Sequence, residues 1–267
     1  EMYQEMIERL NAKKYNLTEG DADFFVGIKI DYDRDAGIVT CTQQALIEKL
    51  AERFTWLPNT KPVPTPLPAS IDFSKETQPP AGQEDKARIA EYRSAVGVAN
   101  YVVTKTKPEA AVALSTLSKV MANPSKQHFK GLCHFLTYLY HARHEGLQLG
   151  GTHMQGAALY AFCDADYAGD VDSTKSRTGY CIYLNNSLVA WRSRAQGVVS
   201  RSTFQSELIA QSHAAAEVCH LRYWLEELGF LQDGPVMLRS DNQGSVDAAN
   251  NPKQTPKLRH MRVAEAW

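Results

Sequence analysis

The spacing of apolar positions changes several times along the chain. Met2, Met6, Ile7 and Leu10 recur near helical spacing over residues 1–15, and Gly20 breaks the run. "DFFVGIKIDYD" (23–33) then alternates in strand fashion, "DRDAG" supplies turn residues and "IVTCTQ" (38–43) returns, which predicts a β-hairpin; "TQQALIEKLAERF" (42–54) goes on as a helix. In "KPVPTPLP" (61–68) every second residue is proline, which locks φ and removes backbone donors, so an extended linker is expected through residue 85. From Glu84 to about Arg143 the pattern is helical in three pieces, broken at Pro108 and at "NPS" (123–125), where Ser125 is placed to cap the third piece.

Strand periodicity resumes after "GLQLGG", over residues 157–165, 178–186 and 187–193, with a tight turn at "NNS". A long helix follows over residues 202–230, ended by Gly229, and "PVMLRSDNQGSVDAANNP" reads strand, turn, helix. The order β, β, β, α, β, α predicts one α/β domain, a mixed sheet with helices against it, from about residue 155 onward. Trp191, Tyr223, Trp224, His213 and His220 fall inside apolar or helical patterns and are expected to be structural.

Composition alters this picture little. The 267 residues are 43% hydrophobic and 22% charged, with 29 basic against 30 acidic side chains, so any nucleic-acid contact must come from local patches. Five scattered cysteines without a CxxC disfavour a disulfide framework or zinc cluster and read as reduced, mostly buried thiols. No apolar run has the length of a membrane span and the N-terminus is not signal-like, so an intracellular chain without a membrane partner is expected. A start without Met and an end at Trp267 on an amphipathic run suggest a piece of something longer.

The densest chemistry is "AFCDADYAGDVD" (161–172), with Asp164, Asp166, Asp170 and Asp172. A calcium loop starting at Asp164 fails where position 5 is Ala168 and position 12 is Lys175. A solvated turn explains Asp166, Asp170 and Asp172. Asp164 differs because it closes an apolar strand, while Glu207 lies early in a helix and Asp241 ends another strand. Three converging carboxylates favour a hard divalent cation, and two such ions roughly 3.5–4 Å apart are suited to phosphodiester hydrolysis. "RSRAQGVVSR" (192–201) holds three arginines and no acid, so Arg192, Arg194, Arg201, Ser202 and Gln205 form a candidate track for a phosphate backbone, with Asn242 and Gln243 beside Asp241.

"DADYAGDVDSTKSRTGYCIYL", "VAWRSRAQGVVSRSTFQSELIAQSHAAAE", "WLEELG", "SDNQGSVDAANNP" and "LRHM" occur in an order and spacing that resemble the ribonuclease H domain of a copia-type LTR-retrotransposon polyprotein. Upstream, "FFVGIKI", "PTPL", "YRSAVGVANYV" and "LSKVMANPSKQHFKGLCHFLTYL" resemble the end of its reverse transcriptase and the connecting segment. The resemblance implies a ribonuclease H-like α/β fold over 155–267, a reverse-transcriptase remnant over 1–60, a linker over 61–85 and a helical connection over 86–150. It implies hydrolysis of the RNA strand of RNA/DNA hybrids with two Mg2+ or Mn2+ ions held by Asp164, Glu207 and Asp241. The remainder of the polyprotein is then a partner, and the location a cytoplasmic retroelement particle or the nucleus. "RHMR" puts Arg262 where the family carries a fourth acid, leaving His260 or Glu265 for that role. Phe25, Val26 and Gly27 match a primer-supporting strand or, on their own pattern, a packed hairpin core. The paired aspartates of the polymerase are absent from this chain, and the rival to the enzyme is an inactive remnant that only binds nucleic acid.

Overall fold

The computed structural model describes residues 2–13, 20, 22–80, 82–151, 158–232 and 234–251. Within these it is a mixed α/β structure with two sheets and seven α-helices. No helix among the described residues is long and apolar enough to cross a membrane.

After α1 (Met2–Ala12), the first sheet is built on the expected hairpin. Strands β1 (Phe24–Phe25), β2 (Ile28–Asp33) and β3 (Ile38–Thr42) run antiparallel, and β4 (Leu147–Gly150) adds to β3 in the register Ile38 to Gly150. The "FFVG" stretch is not a packed hairpin core: Phe24, Phe25 and Val26 are all exposed, at the β1–β2 turn. Val26 there has φ of 47°, a conformation a β-branched residue rarely holds, and Tyr101 Oη donates a short hydrogen bond to its carbonyl.

The segments expected at 1–60, 61–85 and 86–150 do not pack separately. Helices α2 (Gln44–Arg53), α3 (Lys86–Lys105), α4 (Ala111–Lys119) and α5 (Lys126–His141) share one core with the proline-rich stretch. Ile47, Leu50 and Phe54 meet Tyr92, Leu117, Leu132 and Phe135 there, and Phe73 stacks on the fully buried His128 at 5.7 Å. Ser125 caps α5 as expected, accepting from the His128 N–H while His128 Nδ1 accepts from the Ser125 N–H.

The second sheet has the order β7-β6-β5-β8. Strands β5 (Leu159–Asp166), β6 (Arg177–Leu184) and β7 (Ser187–Ala195) form an antiparallel meander, and β8 (Met237–Arg239) lies parallel to β5. Asn185 and Asn186, with φ of 50° and 66°, make the two-residue β6–β7 turn, a conformation asparagine tolerates and that matches strand twist. Helix α6 (Thr203–Glu227) covers one face, and α7 (Gln243–Asn250) docks on it where Gln211 Nε2 donates to Ser245 Oγ at 2.6 Å. A 25-residue helix spans about 37 Å, whereas the eight residues of β5 span about 26 Å. Its last turns therefore outrun the sheet, and Tyr223 and Trp224, expected in the core, are exposed. His213 and His220 also lie on exposed positions; His220 rests on the Trp224 ring. Only Trp191 is partly covered, its Nε1 donating to the Val103 carbonyl of α3. Of the five thiols, all unpaired, Cys163 alone is buried and Cys219 is exposed.

Asp170 and Asp172, expected on a solvated turn, instead fasten the two halves together. Both carboxylates close on Lys119 Nζ at the end of α4, with side chains 16% and 10% exposed. Asp172 also accepts from the Lys75 N–H at 2.8 Å, and Ser173 Oγ donates to Asp170. Asp166 is the last residue of β5 and is exposed. Removing the cation strands two shielded carboxylates, so Lys119→Ala is expected to lower the unfolding free energy by about 1–3 kcal/mol. Urea titration with and without added salt measures it; an unshifted midpoint would return both acids to solvent.

Candidate metal centre

Strand β5 alternates buried and accessible residues along its length, with Leu159, Ala161, Cys163 and Ala165 turned to α6. Phe162, Asp164 and Asp166 consequently occupy the opposite, open face. Asp241 follows the end of β8, which pairs with β5 through Phe162 and Arg239 and so delivers this acid beside Asp164. Glu207 arrives from α6, whose start is fixed by Ser202, an N-cap accepting from the Gln205 N–H at 3.2 Å.

Residues 205–210 of α6 are all buried, so Glu207 has little access to water at 6% exposure. The polar members of that buried run are satisfied internally. Gln196 Nε2 donates to the Ser206 carbonyl at 2.9 Å, and Gln205 Oε1 accepts from the Arg201 N–H at 2.9 Å.

Asp164, Glu207 and Asp241 each offer a carboxylate oxygen, and these atoms lie within 4.8 Å of one another. Burial first, then the charges of Asp164 and Asp241, push the Glu207 carboxyl up to about 7, against weaker opposition from the Ala165 N–H and Ser240 Oγ. Burial and the same three acids push the Cys163 thiol up to about 12, leaving it inert. Such a cluster is the environment a divalent cation relieves, and its all-oxygen donor set suits magnesium or manganese better than zinc.

Of the arginine track, Arg192 lines the cleft that Asp164 and Asp241 also line, while Arg194 and Arg201 are not among its lining residues. The register aligns Arg192 with Tyr180 and Cys163, and Arg194 with Thr178 and Ala165, which sets both arginines on the α6 side of the sheet. Arg201 is exposed in the loop before α6. Gln205 is turned inward, and the oxygens of Ser202 and Asn242 are engaged as helix N-caps, the latter accepting from the Ser245 N–H. Gln243 is exposed and donates to Asp247. His260, with Arg262 and Glu265, lies outside the described residues.

Two basic residues that the sequence reading passed over do flank the open face. Arg177 pairs in register with Asp166 and donates to Ser115 Oγ of α4, and the Arg239 guanidinium lies 5.6 Å from the Phe162 ring centroid. Each stands alone in sequence, and only strand register gathers them. Above this face, Pro108, Ala111 and Val112 roof a cleft of about 770 Å³ reaching Asp164 and Asp241.

Over nearly its whole length the chain is similar to retrovirus-related Pol polyproteins of plant transposons. It is 32% identical to that of transposon TNT 1-94 of Nicotiana tabacum, over 96% of this chain and 19% of that protein. It is 29% identical to that of transposon RE1 of Arabidopsis thaliana, over 97% of this chain and 17% of that protein. The chain thus spans about a fifth of the length of these relatives. It is also 38% identical to the secreted RxLR effector protein 161 of Plasmopara viticola, over 49% of this chain and 90% of that protein. No family model and no solved structure matches the chain.

A carboxyl raised from 4.5 to about 7 leaves the folded protein holding more protons than the unfolded chain between those values. Its contribution to stability is then full below about pH 4.5 and falls as pH rises towards 7. Melting curves of the metal-free protein from pH 4.5 to 8, compared with Glu207→Gln, are expected to diverge, the wild type losing stability relative to the variant as pH rises. Parallel curves would remove Glu207 from the cluster.

Proposed function

We propose, from a chain homologous to the Pol polyproteins of plant transposons, that residues 155–267 form a ribonuclease H-like unit. Its activity is hydrolysis of the RNA strand of RNA/DNA hybrids. The observation that carries the proposal is the convergence of Asp164, Glu207 and Asp241 from a strand, a helix and a second strand onto one oxygen-lined point. The order β7-β6-β5-β8, with one parallel pair and α6 on one face, supports the same reading.

The residues fit a divalent cation. A buried carboxyl held near neutrality beside two further acids is charge awaiting a counter-ion, and no basic side chain among the described residues pairs with it. Asp164, Glu207 and Asp241 would hold Mg2+ or Mn2+, one or two ions, which supply activation of water and stabilisation of charge on the phosphodiester oxygens. The chain itself does the positioning. Ser240 Oγ, 3.5 Å from Glu207, and the Ala165 N–H orient the buried carboxylate. A cation held there would favour the ionised form of Glu207, so cation affinity would rise with pH through about 7. Arg177 and Arg239 draw the phosphate backbone towards the open face. Attack of water on phosphorus would form a new P–O bond as the bond to the leaving oxygen breaks, the water losing one proton and the leaving oxygen taking one up from solvent, so that the RNA strand is cut.

Asp241→Asn retains shape and removes one ligand charge. Hybrid cleavage with Mg2+ is expected to fall at least about 100-fold, while the variant keeps its fold by circular dichroism; unchanged cleavage would sink the site. Wild-type protein that binds hybrid but cuts it with neither Mg2+ nor Mn2+ would instead identify a binding remnant.

A further inference from the structure

The cleft beside the carboxylates has walls that hydrolysis of a phosphodiester does not call for. One wall is the open face of the second sheet, where Phe162 stands two residues before Asp164 on the same side of β5, about 7 Å along the strand. Helix α4 contributes Val112 to the same lining. Both apolar side chains are substantially exposed, Phe162 at 42% and Val112 at 57%.

Phe162 is held rather than loose. Its ring meets Tyr160 at 5.9 Å and 82° and Tyr183 at 6.0 Å and 89°, and these two tyrosines stack on each other at 5.2 Å. The Arg239 guanidinium lies at 5.6 Å from the same ring, and Arg177 stands on the cleft's lining with Ser115 of α4 as its partner. Ser193, on the row that runs from Asp164 through Gly179, lines the cleft too, and its shielded hydroxyl has no hydrogen-bond partner among the described residues. A fixed aromatic ring and an aliphatic side chain lining one cleft with Arg177, Arg192 and Arg239, and one spare hydroxyl, suit a flat, polar-edged group on an anionic chain.

We infer that this cleft is a base slot: it takes one unpaired base of a nucleic-acid strand, stacked at Phe162 and covered by Val112, next to the phosphodiester presented to Asp164, Glu207 and Asp241. The inference rests on the proposed hydrolytic reading for its substrate class and adds to it a preference for strands with an unpaired nucleotide. Aromatic and guanidinium surfaces stack bases whatever their identity, so the slot selects for unpairing rather than sequence. Charge agrees, since Arg177 and Arg239 bracket a site whose own acids would otherwise repel a phosphate chain. A second protein segment is the rival occupant, and the three arginines on the lining speak against an apolar one.

The test uses the whole chain and a hybrid carrying a single 2-aminopurine, a fluorescent adenine analogue, either paired or in a one-nucleotide bulge, placed in the RNA strand in one arm and the DNA strand in the other. Binding is read without divalent cation, so that it does not depend on cleavage. The bulged probe is expected to bind about 10-fold more tightly than the paired one, at a cost of Phe162 stacking in the range known for bases on aromatic rings, with its fluorescence quenched on binding. Val112→Trp fills the slot from an exposed position, and Phe162→Ala removes its floor. Both should abolish the 10-fold preference and the quenching while leaving affinity for the paired hybrid within twofold. The arm that responds tells whether the RNA or the DNA strand enters. Equal affinity and unquenched fluorescence for both probes in wild type would overturn the slot. So would variants that lower the melting temperature with the preference intact, which would make Phe162 and Val112 packing surfaces for protein. If Asp241→Asn leaves cleavage unchanged but the bulge preference holds, the hydrolytic reading fails and the slot stands.

Discussion

Three carboxylates held within reach of one another repel, and everything that places them is also what keeps them from separating. Glu207 cannot rotate into solvent because seven consecutive residues of α6, 205–211, are enclosed. Asp164 is fixed by the register of β5 between two neighbours, and Asp241 by the short parallel pairing of β8. The packing of α6 and α7, including the Gln211–Ser245 contact and the Gln196 bridge, therefore opposes an electrostatic strain that the cluster itself generates. A fold that stabilised only its own core would not put a carboxyl there.

Much of this was legible in sequence because it obeys local rules. Helical and strand periodicity marked the elements from β5 to α7, Ser125 and Gly229 marked helix ends, and the paired asparagines marked a tight turn. The acids of the cluster stood out at strand ends and an early helix position. Other features depend on tertiary partners and left no local trace. Strand β4 is four residues of ordinary polarity that become a strand only because β3 offers an edge. Asp170 and Asp172 look like a solvated run until Lys119 is seen beneath them, and Tyr223 and Trp224 look like core until helix length is set against sheet width.

Period-2 alternation also decides which way the arginine-rich stretch is turned. Arg192 and Arg194 lie between Asp164 and Glu207 in the sequence, yet a strand assigns alternate residues to opposite faces. The face they share is the one α6 covers. Arg177 and Arg239, on different strands, reach the open face with Asp164 and Phe162. Charge clustering along a chain and charge clustering in space are different quantities wherever strands supply the residues.

The pairing of Ile38 with Gly150, together with the hydrogen bond from the Gly150 N–H to Ser187 Oγ at 2.8 Å, bears on the order of folding. The β2–β3 hairpin leaves the ribosome before its outer neighbour, which is synthesised only after α3, α4 and α5. Until then β3 presents an unpaired edge, the kind of surface on which nascent chains pair with each other. Translation speed through the helical bundle thus sets how long a newborn chain stays open to the wrong partner.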